Sequence, residues 1–283
     1  MPAIKCEASQ LLAEFIETHR PITVLTGAGC STDSGIPDYR DREGNWKYSR
    51  PVQFLDFIND IKTRKRYWSR SAAGWPEIAN AQPNTAHHSL TRLEQDGYIR
   101  YLVTQNVDGL HQKAGTRAIM DLHGRIDNVV CLQCKLTVPR AEIQELILEL
   151  NPDFEFKFYR IGPDGDAIPG AENLASFKVP VCPVCDGILK PDVVFFGEQV
   201  PKYRVESVLQ ELEKSHALLV IGSSLMVFSG YRFCKSAKEM GKPVAILNIG
   251  KTRADDKIDM KIELPCGPTL KNIALSLIST KNS

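Results

Sequence analysis

Two glycines at the exit of a short apolar run constrain this chain more than any other feature. Ile22 to Leu25 reads as a buried strand, and Thr26-Gly27-Ala28-Gly29-Cys30-Ser31 follows it directly. Glycines there let the backbone turn sharply and approach a diphosphate closely. The N–H groups opening a following helix would then face the anion. The dinucleotide fingerprint G-x-G-x-x-G is broken, because its third position is Thr32. A G-x-G by itself also suits a plain strand–helix turn. Here the loop runs on through Ser31 to Gly35-Ile36-Pro37-Asp38-Tyr39-Arg40, and those polar groups favour a loop that meets a nucleotide.

Further apolar runs recur at Ile99–Thr104, Ala217–Ile221 and Val244–Leu247. The last two are nearly continuous, as expected of strands covered on both faces. Helical spacing lies between the runs. Leu11, Leu12, Phe15 and Ile16 form one stripe, ended by Pro21, and Val205, Val208, Leu209 and Leu212 form another. This alternation predicts an α/β fold, a doubly wound parallel (Rossmann-like) sheet with helices on both sides.

Two segments interrupt the alternation. Asn45 to Asn80 carries Trp46, Tyr48, Phe54, Phe57, Tyr67, Trp68 and Trp75 among bases and reads as a small helical module. About Asp127 to Asp186 holds two cysteine pairs, with a long loop predicted over Asn151 to Pro180 by Gly162-Pro163-Asp164-Gly165-Asp166. The expected division is a large part of about 8–44, 84–126 and 187–280, beside a smaller part of about 45–83 and 127–186. Substrate is expected in the cleft between them.

The pairs are Cys131-Leu132-Gln133-Cys134 and Cys182-Pro183-Val184-Cys185; Cys6, Cys30, Cys234 and Cys266 are scattered. In a reducing compartment, two C-x-x-C pairs suggest a tetrahedral zinc site of four thiolates. A redox dithiol or unrelated buried thiols are the other readings, and the stretch between the pairs is longer than a simple zinc ribbon allows. Four sulfurs leave no position open for substrate, so such a metal is structural.

A net charge of +1 argues against broad attraction to nucleic acid, and no stretch approaches a membrane span. Met1 to Glu17 has acidic residues and no signal-peptide core. A cytoplasmic protein, monomeric by default, is expected.

A second polar constellation, Thr104-Gln105-Asn106-Val107-Asp108-Gly109-Leu110-His111, sits at the carboxyl end of a strand. Ligands of open α/β sheets gather there, although an Asx turn would use the same residues. His123-Gly124 follows shortly after. A neutral imidazole is the usual general base near neutral pH, but composition does not rank His87, His88, His111 and His123.

The ordered set of motifs carries a resemblance. Gly27-Ala28-Gly29-x-Ser31, Gly35–Arg40, Thr104–Asp108, His123-Gly124, the two C-x-x-C pairs, Phe196-Gly197-Glu198 and Gly222-Ser223-Ser224 stand in sirtuin order over roughly Leu11 to Leu277. The chain thus resembles the sirtuins, NAD-dependent protein-lysine deacylases. Tyr39, the Tyr67-Trp68 module and the long stretch between cysteine pairs are most similar to class II members.

The resemblance implies that Gly27 to Lys47, including Asp38, Tyr39 and Arg40, holds the diphosphate and ribose of NAD. Gln105, Asn106, Val107 and Asp108 would line the nicotinamide pocket, with Asn106 also catalytic, and His123 would be the base. Gly222, Ser223 and Ser224 would serve the phosphate or adenosine side. Asn248, Ile249 and Gly250 would meet the adenosine ribose, and Cys266 the adenine, unless Cys266 is simply a buried thiol at a turn. An acyl-lysine peptide would add as a strand beside Val194, Phe195, Phe196, Gly197 and Glu198. NAD would be consumed as a reactant, yielding nicotinamide, free lysine and O-acyl-ADP-ribose.

Tyr67 and Arg70 have the Tyr-x-x-Arg spacing of sirtuins selective for acidic acyl groups, and an arginine with a phenol suits a carboxylate. A solvated helix face explains Arg70 equally well. The alternatives to a deacylase are a protein mono-ADP-ribosyltransferase and a non-catalytic NAD-binding zinc scaffold.

Overall fold

A computed structural model describes residues 2–47, 51–156, 158–162, 167–169 and 174–281. Tyr48 and the Pro163–Asp166 part of the expected turn lie outside the described residues. The chain opens with α1 (Pro2–His19), β1 (Ile22–Thr26), α2 (Phe54–Asn59), α3 (Ile61–Asn80), α4 (Thr85–Gln95) and β2 (Ile99–Thr104). It continues through α5 (Leu110–Lys113), β3 (Ile119–Asp121), β4 (Gly124–Cys131), β5 (Thr137–Pro139), α6 (Arg140–Leu150), β6 (Phe158–Ile161) and β7 (Ala167–Pro169). The last part holds β8 (Leu189–Val193), α7 (Lys202–Glu213), β9 (Leu218–Ile221), α8 (Phe228–Glu239), β10 (Val244–Leu247), β11 (Met260–Ile262) and α9 (Cys266–Lys281).

Among the described residues, six strands form a parallel sheet in the order β11-β10-β9-β1-β2-β3. The sheet is doubly wound. On one face Leu12, Ile16, Leu90, Leu270 and Ile273 pack on Val24, Leu219 and Ala245. On the other, Val208, Leu212, Phe233 and Ala237 pack on Leu25, Val220 and Ile246. Both faces exclude water, which explains the unbroken apolar runs of β9 and β10. The strand order reverses between β1 and β9, so the crevice for a ligand opens beyond their carboxyl ends.

The smaller body has its own core, in which Phe57, Tyr67 and Trp68 join Ile126, Val129, Ile143, Leu189 and Phe195. An antiparallel sheet, β5-β4-β8, forms its frame. The expected boundaries at about 126 and 187 therefore need correction, because β4 starts at Gly124 and β8, at 189–193, belongs to the small sheet. The joint is made by Gly124 at φ +82°, where a Cβ would lie 2.0 Å from the Asp192 carbonyl oxygen. Only glycine lets β8 cross so close to His123.

The predicted long loop after α6 contains a hairpin instead, β6 paired with β7, lying beside α3. Asn151 pins the two ends of this excursion, its Nδ2 donating to the Ile147 and Lys178 carbonyls at 2.8 and 3.0 Å. Lys65 Nζ donates to the Ala175 carbonyl at 2.7 Å, anchoring the return to α3. The glycine loop also departs from expectation. No α-helix opens directly at the end of β1; two short 3-10 turns, Ala28–Cys30 and Thr32–Ser34, stand there. Their few N–H groups give local donors rather than a long helix dipole.

Candidate active site

The crevice at the strand ends is a cleft of about 820 Å³. Gly27–Gly29, Ser31, Asp38–Arg40, Gln105–Asp108, His123, Gly222–Ser224, Asn248 and Ile249 line it from the large sheet. Tyr67 and Val194–Glu198 line it from the other side.

The loop of Gly27 to Ser31 is pressed against the β9 exit. A Cβ on Gly27 would sit 2.7 Å from Ser223 Cβ, and one on Gly222, at φ +59°, would sit 2.5 Å from the Cys30 nitrogen. Gly29 N–H donates to the Gly222 carbonyl at 2.8 Å. Asn106 Nδ2 ties the loop to β2, donating to the Gly27 carbonyl at 3.1 Å and to Ser31 Oγ at 3.0 Å. Ser31 Oγ in turn donates to Asp108 Oδ2 at 2.7 Å. Burial pushes the Asp108 carboxyl up, against the pull of the Leu110 N–H and the Ser31 hydroxyl. Further along, Asp38 pairs with Lys47, and Arg40 lies 3.9 Å from the Trp46 ring centre while donating to the Gly44 carbonyl. These contacts fold the segment over the cleft mouth.

His123 Nδ1 lies 2.9 Å from the Gln105 carbonyl oxygen, and Nε2 lies 2.8 Å from Ser229 Oγ. A carbonyl only accepts, so the network assigns the proton to Nδ1 and the lone pair to Nε2. Burial pushes the imidazole down to about 4; the Gln105 carbonyl opposes this, and Arg204 and Arg232 reinforce it. The ring is then neutral, and its Nε2 lone pair, which accepts from the Ser229 hydroxyl at rest, is the atom able to take a proton.

The segment after β8 is tied down at two points. Val194 N–H donates to the His123 carbonyl at 2.7 Å, and Phe54 N–H donates to the Phe196 carbonyl at 2.8 Å. Glu198 accepts from Phe195 N–H at 2.9 Å and pairs at 3.1 Å with Lys190, which is buried under the Phe195 ring.

Three expected contacts stand apart from the cleft. Arg70 is not among its lining residues, although Tyr67, one turn earlier on α3, is. Gly250 faces away, and its Cβ would meet the Arg42 carbonyl at 2.6 Å. Cys266 opens α9, with Sγ 4.0 Å from the Leu247 carbonyl, and does not line the cleft.

The sequence model of the Sir2 family matches residues 27–229. The chain belongs to the Sir2 family. An NAD-dependent protein deacetylase of Xanthomonas axonopodis pv. citri (strain 306) is 50% identical over 270 residues, covering 95% of this chain and 92% of the relative. The human mitochondrial NAD-dependent protein lipoamidase sirtuin-4 is 45% identical over 272 residues, covering 95% and 87%. A solved Sir2 structure, described for enzyme mechanism and regulation, has a TM-score of 0.76 at 29% identity, covering 97% and 99%. Another, of Sir2 with a p53 peptide and NAD+, has a TM-score of 0.73 at 26% identity, covering 95% and 96%.

In this Sir2 family member the four paired cysteines converge. Cys131 and Cys185 sulfurs are 3.5 Å apart, Cys134 and Cys182 are 3.6 Å apart, and all four lie within 4.8 Å of one another. Such spacings are far beyond a disulfide and suit thiolates around one tetrahedral ion, with Zn–S of about 2.3 Å. Each knuckle closes on a left-handed residue, Lys135 at φ 64° and Asp186 at φ 55°.

A second buried group, Cys30, His87 and His111, also falls within 4.8 Å. His87 Nδ1 accepts the Asn84 N–H at 3.2 Å, so its Nε2 carries the proton and is a donor rather than a metal ligand.

Sequence reasoning missed Ser229 and Arg232, which line the cleft from the start of α8.

Proposed function

We propose that this chain is an NAD-dependent protein deacetylase that releases nicotinamide as it moves an acyl group from lysine to ADP-ribose. The observation that carries the reading is His123. Its lone-pair nitrogen stands in the same cleft as the glycine loop and the Gln105–Asp108 turn. Relatives named as NAD-dependent protein deacetylases, at about 50% identity, support it.

The fit to NAD rests on the close-packed glycines, which leave backbone rather than side chains facing the cleft, and on a volume suited to a small-molecule ligand. When bound, NAD supplies the electrophilic ribose that accepts the acyl group. Gly27–Ser31 and Gly222–Ser224 hold its phosphates, and Asn248 and Ile249 the adenosine side. Asn106 and Asp108 orient the reacting ribose through Ser31. His123 Nε2 takes the proton of a ribose hydroxyl. The Tyr39, Trp46 and Phe196 rings pack edge to face and give the cleft an aromatic wall.

The acyl-lysine peptide pairs with Val194–Glu198 as an added strand, which reads extended shape more than sequence. Ile36, Val107, Ile126, Val193 and Phe195 give the cleft apolar walls, and with Arg70 outside it we assign acetyl and longer apolar acyl groups rather than acidic ones. The lipoamidase name of the human relative supports the longer groups. Zinc in the four-cysteine site closes the small body. The reading is completed by a cytoplasmic, monomeric enzyme of the class II type, divided into cofactor-binding and zinc-bearing parts at the joints around 124 and 193.

Mass spectrometry of the purified protein with NAD and peptides bearing acetyl, lipoyl, long-chain and acidic acyl-lysines tests this. Free lysine peptide with O-acyl-ADP-ribose is expected, acetyl and apolar acyls leading. ADP-ribosylated peptide would support a transferase instead, and absence of any product despite NAD binding would support a silent scaffold.

A further inference from the structure

The lone-pair nitrogen of His123 has a partner that the sequence did not suggest. Ser229 Oγ sits 2.8 Å from Nε2, on the first turn of α8, and itself lines the cleft. Its place follows from the chain around it. Gly222 at φ +59° and Leu225 at φ +56° turn the backbone after β9. The next residue, Gly230, packs on the Gln105 side chain, and a Cβ there would lie 2.5 Å from Gln105 Oε1 and force that side chain to shift. Gln105 also bonds Ser223 Oγ at 2.7 Å through Nε2 and offers its carbonyl to the other ring nitrogen. Both hydrogen bonds to the imidazole therefore come from a single packed joint.

The Gln105 carbonyl fixes the tautomer, but one hydrogen bond leaves the ring free to swing. The second bond holds its plane. A hydroxyl is the right group here because it both donates and accepts. It donates to Nε2 while the ring is neutral, and it accepts once Nε2 carries a proton. An acceptor there matters because burial, Arg204 and Arg232 all oppose positive charge on the ring.

Resting on the reading of His123 as the base, we infer that Ser229 is a positioning residue for it, donating to the neutral imidazole and accepting from the imidazolium. For the transfer the Ser229 hydroxyl turns its hydrogen away from Nε2; the ribose hydroxyl's proton then moves onto that lone pair, and Ser229, keeping its own proton, accepts from the new Nε2–H.

Two substitutions and two readouts decide the matter. In the protein without added cofactor, nitrogen NMR of labelled histidine should show His123 Nε2 as a hydrogen-bonded acceptor in the wild type and in Ser229→Thr. In Ser229→Ala that resonance should move to the position of a free acceptor. With NAD and an acetyl-lysine peptide, Ser229→Ala should lose about tenfold in kcat, the loss of one hydrogen bond to a charged group. Its KM for NAD should stay within about twofold, and Ser229→Thr should recover most of the rate. An unmoved resonance in Ser229→Ala overturns the inference, as does a rate loss that threonine fails to recover. A wild type that deacylates nothing refutes the proposed function, and the resonance then decides the role of Ser229 alone.

Discussion

At the scale of single residues, burial rather than charge sets the chemistry of the histidines. His87 and His111 are almost fully buried with their rings 4.7 Å apart, and burial drives both downward, His87 to about 4. An unfolded histidine takes up its proton near its ordinary value of 6.5. Between these values the unfolded chain binds more protons than the folded one. The stabilisation is therefore complete above about pH 6.5 and is lost as pH falls toward 4, by on the order of 3 kcal/mol for His87. Urea unfolding at pH 7.5 and at pH 5 checks this: the free energy should drop clearly at pH 5, and equal values would contradict it. Residue identity alone made His123 a candidate without ranking it, and the order of the motifs ranked it through the resemblance. Its partners were out of reach of the sequence, because the Gln105 carbonyl and Ser229 hydroxyl are 18 and 106 residues away in the chain.

At the scale of elements, the cap of α4 binds the glycine loop to the fold. Asn84 opens α4, with Oδ1 accepting the Ala86 N–H at 2.8 Å. Its Nδ2 reaches back to the Cys30 carbonyl at 2.9 Å and Ser34 Oγ at 3.0 Å. Asn84→Ala should cost about 2 kcal/mol, from the cap and the loop bonds together, and should raise the KM for NAD several-fold. A loss of stability with unchanged KM would show that α4 does not hold the loop. Strands β2 and β10 match the apolar runs end to end, and β1 and β9 differ by one residue. Runs buried on both faces announce themselves. The edge strands β3 and β11 are three residues each and half-exposed, too short and mixed to carry a pattern. The β6–β7 hairpin was hidden for another reason: its turn formers signal a chain reversal but not the pairing on either side.

At the scale of the molecule, the cleft exists because two bodies meet at Gly124 and at the segment after β8. The cysteine spacing in the sequence marked the second body, yet its sheet takes β8 from a stretch that patterning assigned to the first. Adjacency in sequence is a poor guide where a strand crosses between bodies. If the four thiolates hold zinc, they clamp the end of β4 to the turn before β8, which carries Val194–Glu198. Removing the metal with a strong chelator should loosen the small body and abolish deacylation, with lost near-ultraviolet dichroism and one zinc released per chain. Full activity with zinc verifiably gone would contradict the clamp.

The most direct measurement compares His123→Ala with the wild type in two assays, NAD binding by calorimetry and release of free lysine peptide by mass spectrometry. If His123 is the base, NAD affinity should stay near wild type while deacylation falls by about 10²- to 10⁴-fold. An equal loss in both would mean that His123 holds the cofactor, and unimpaired deacylation would mean that the proton goes elsewhere.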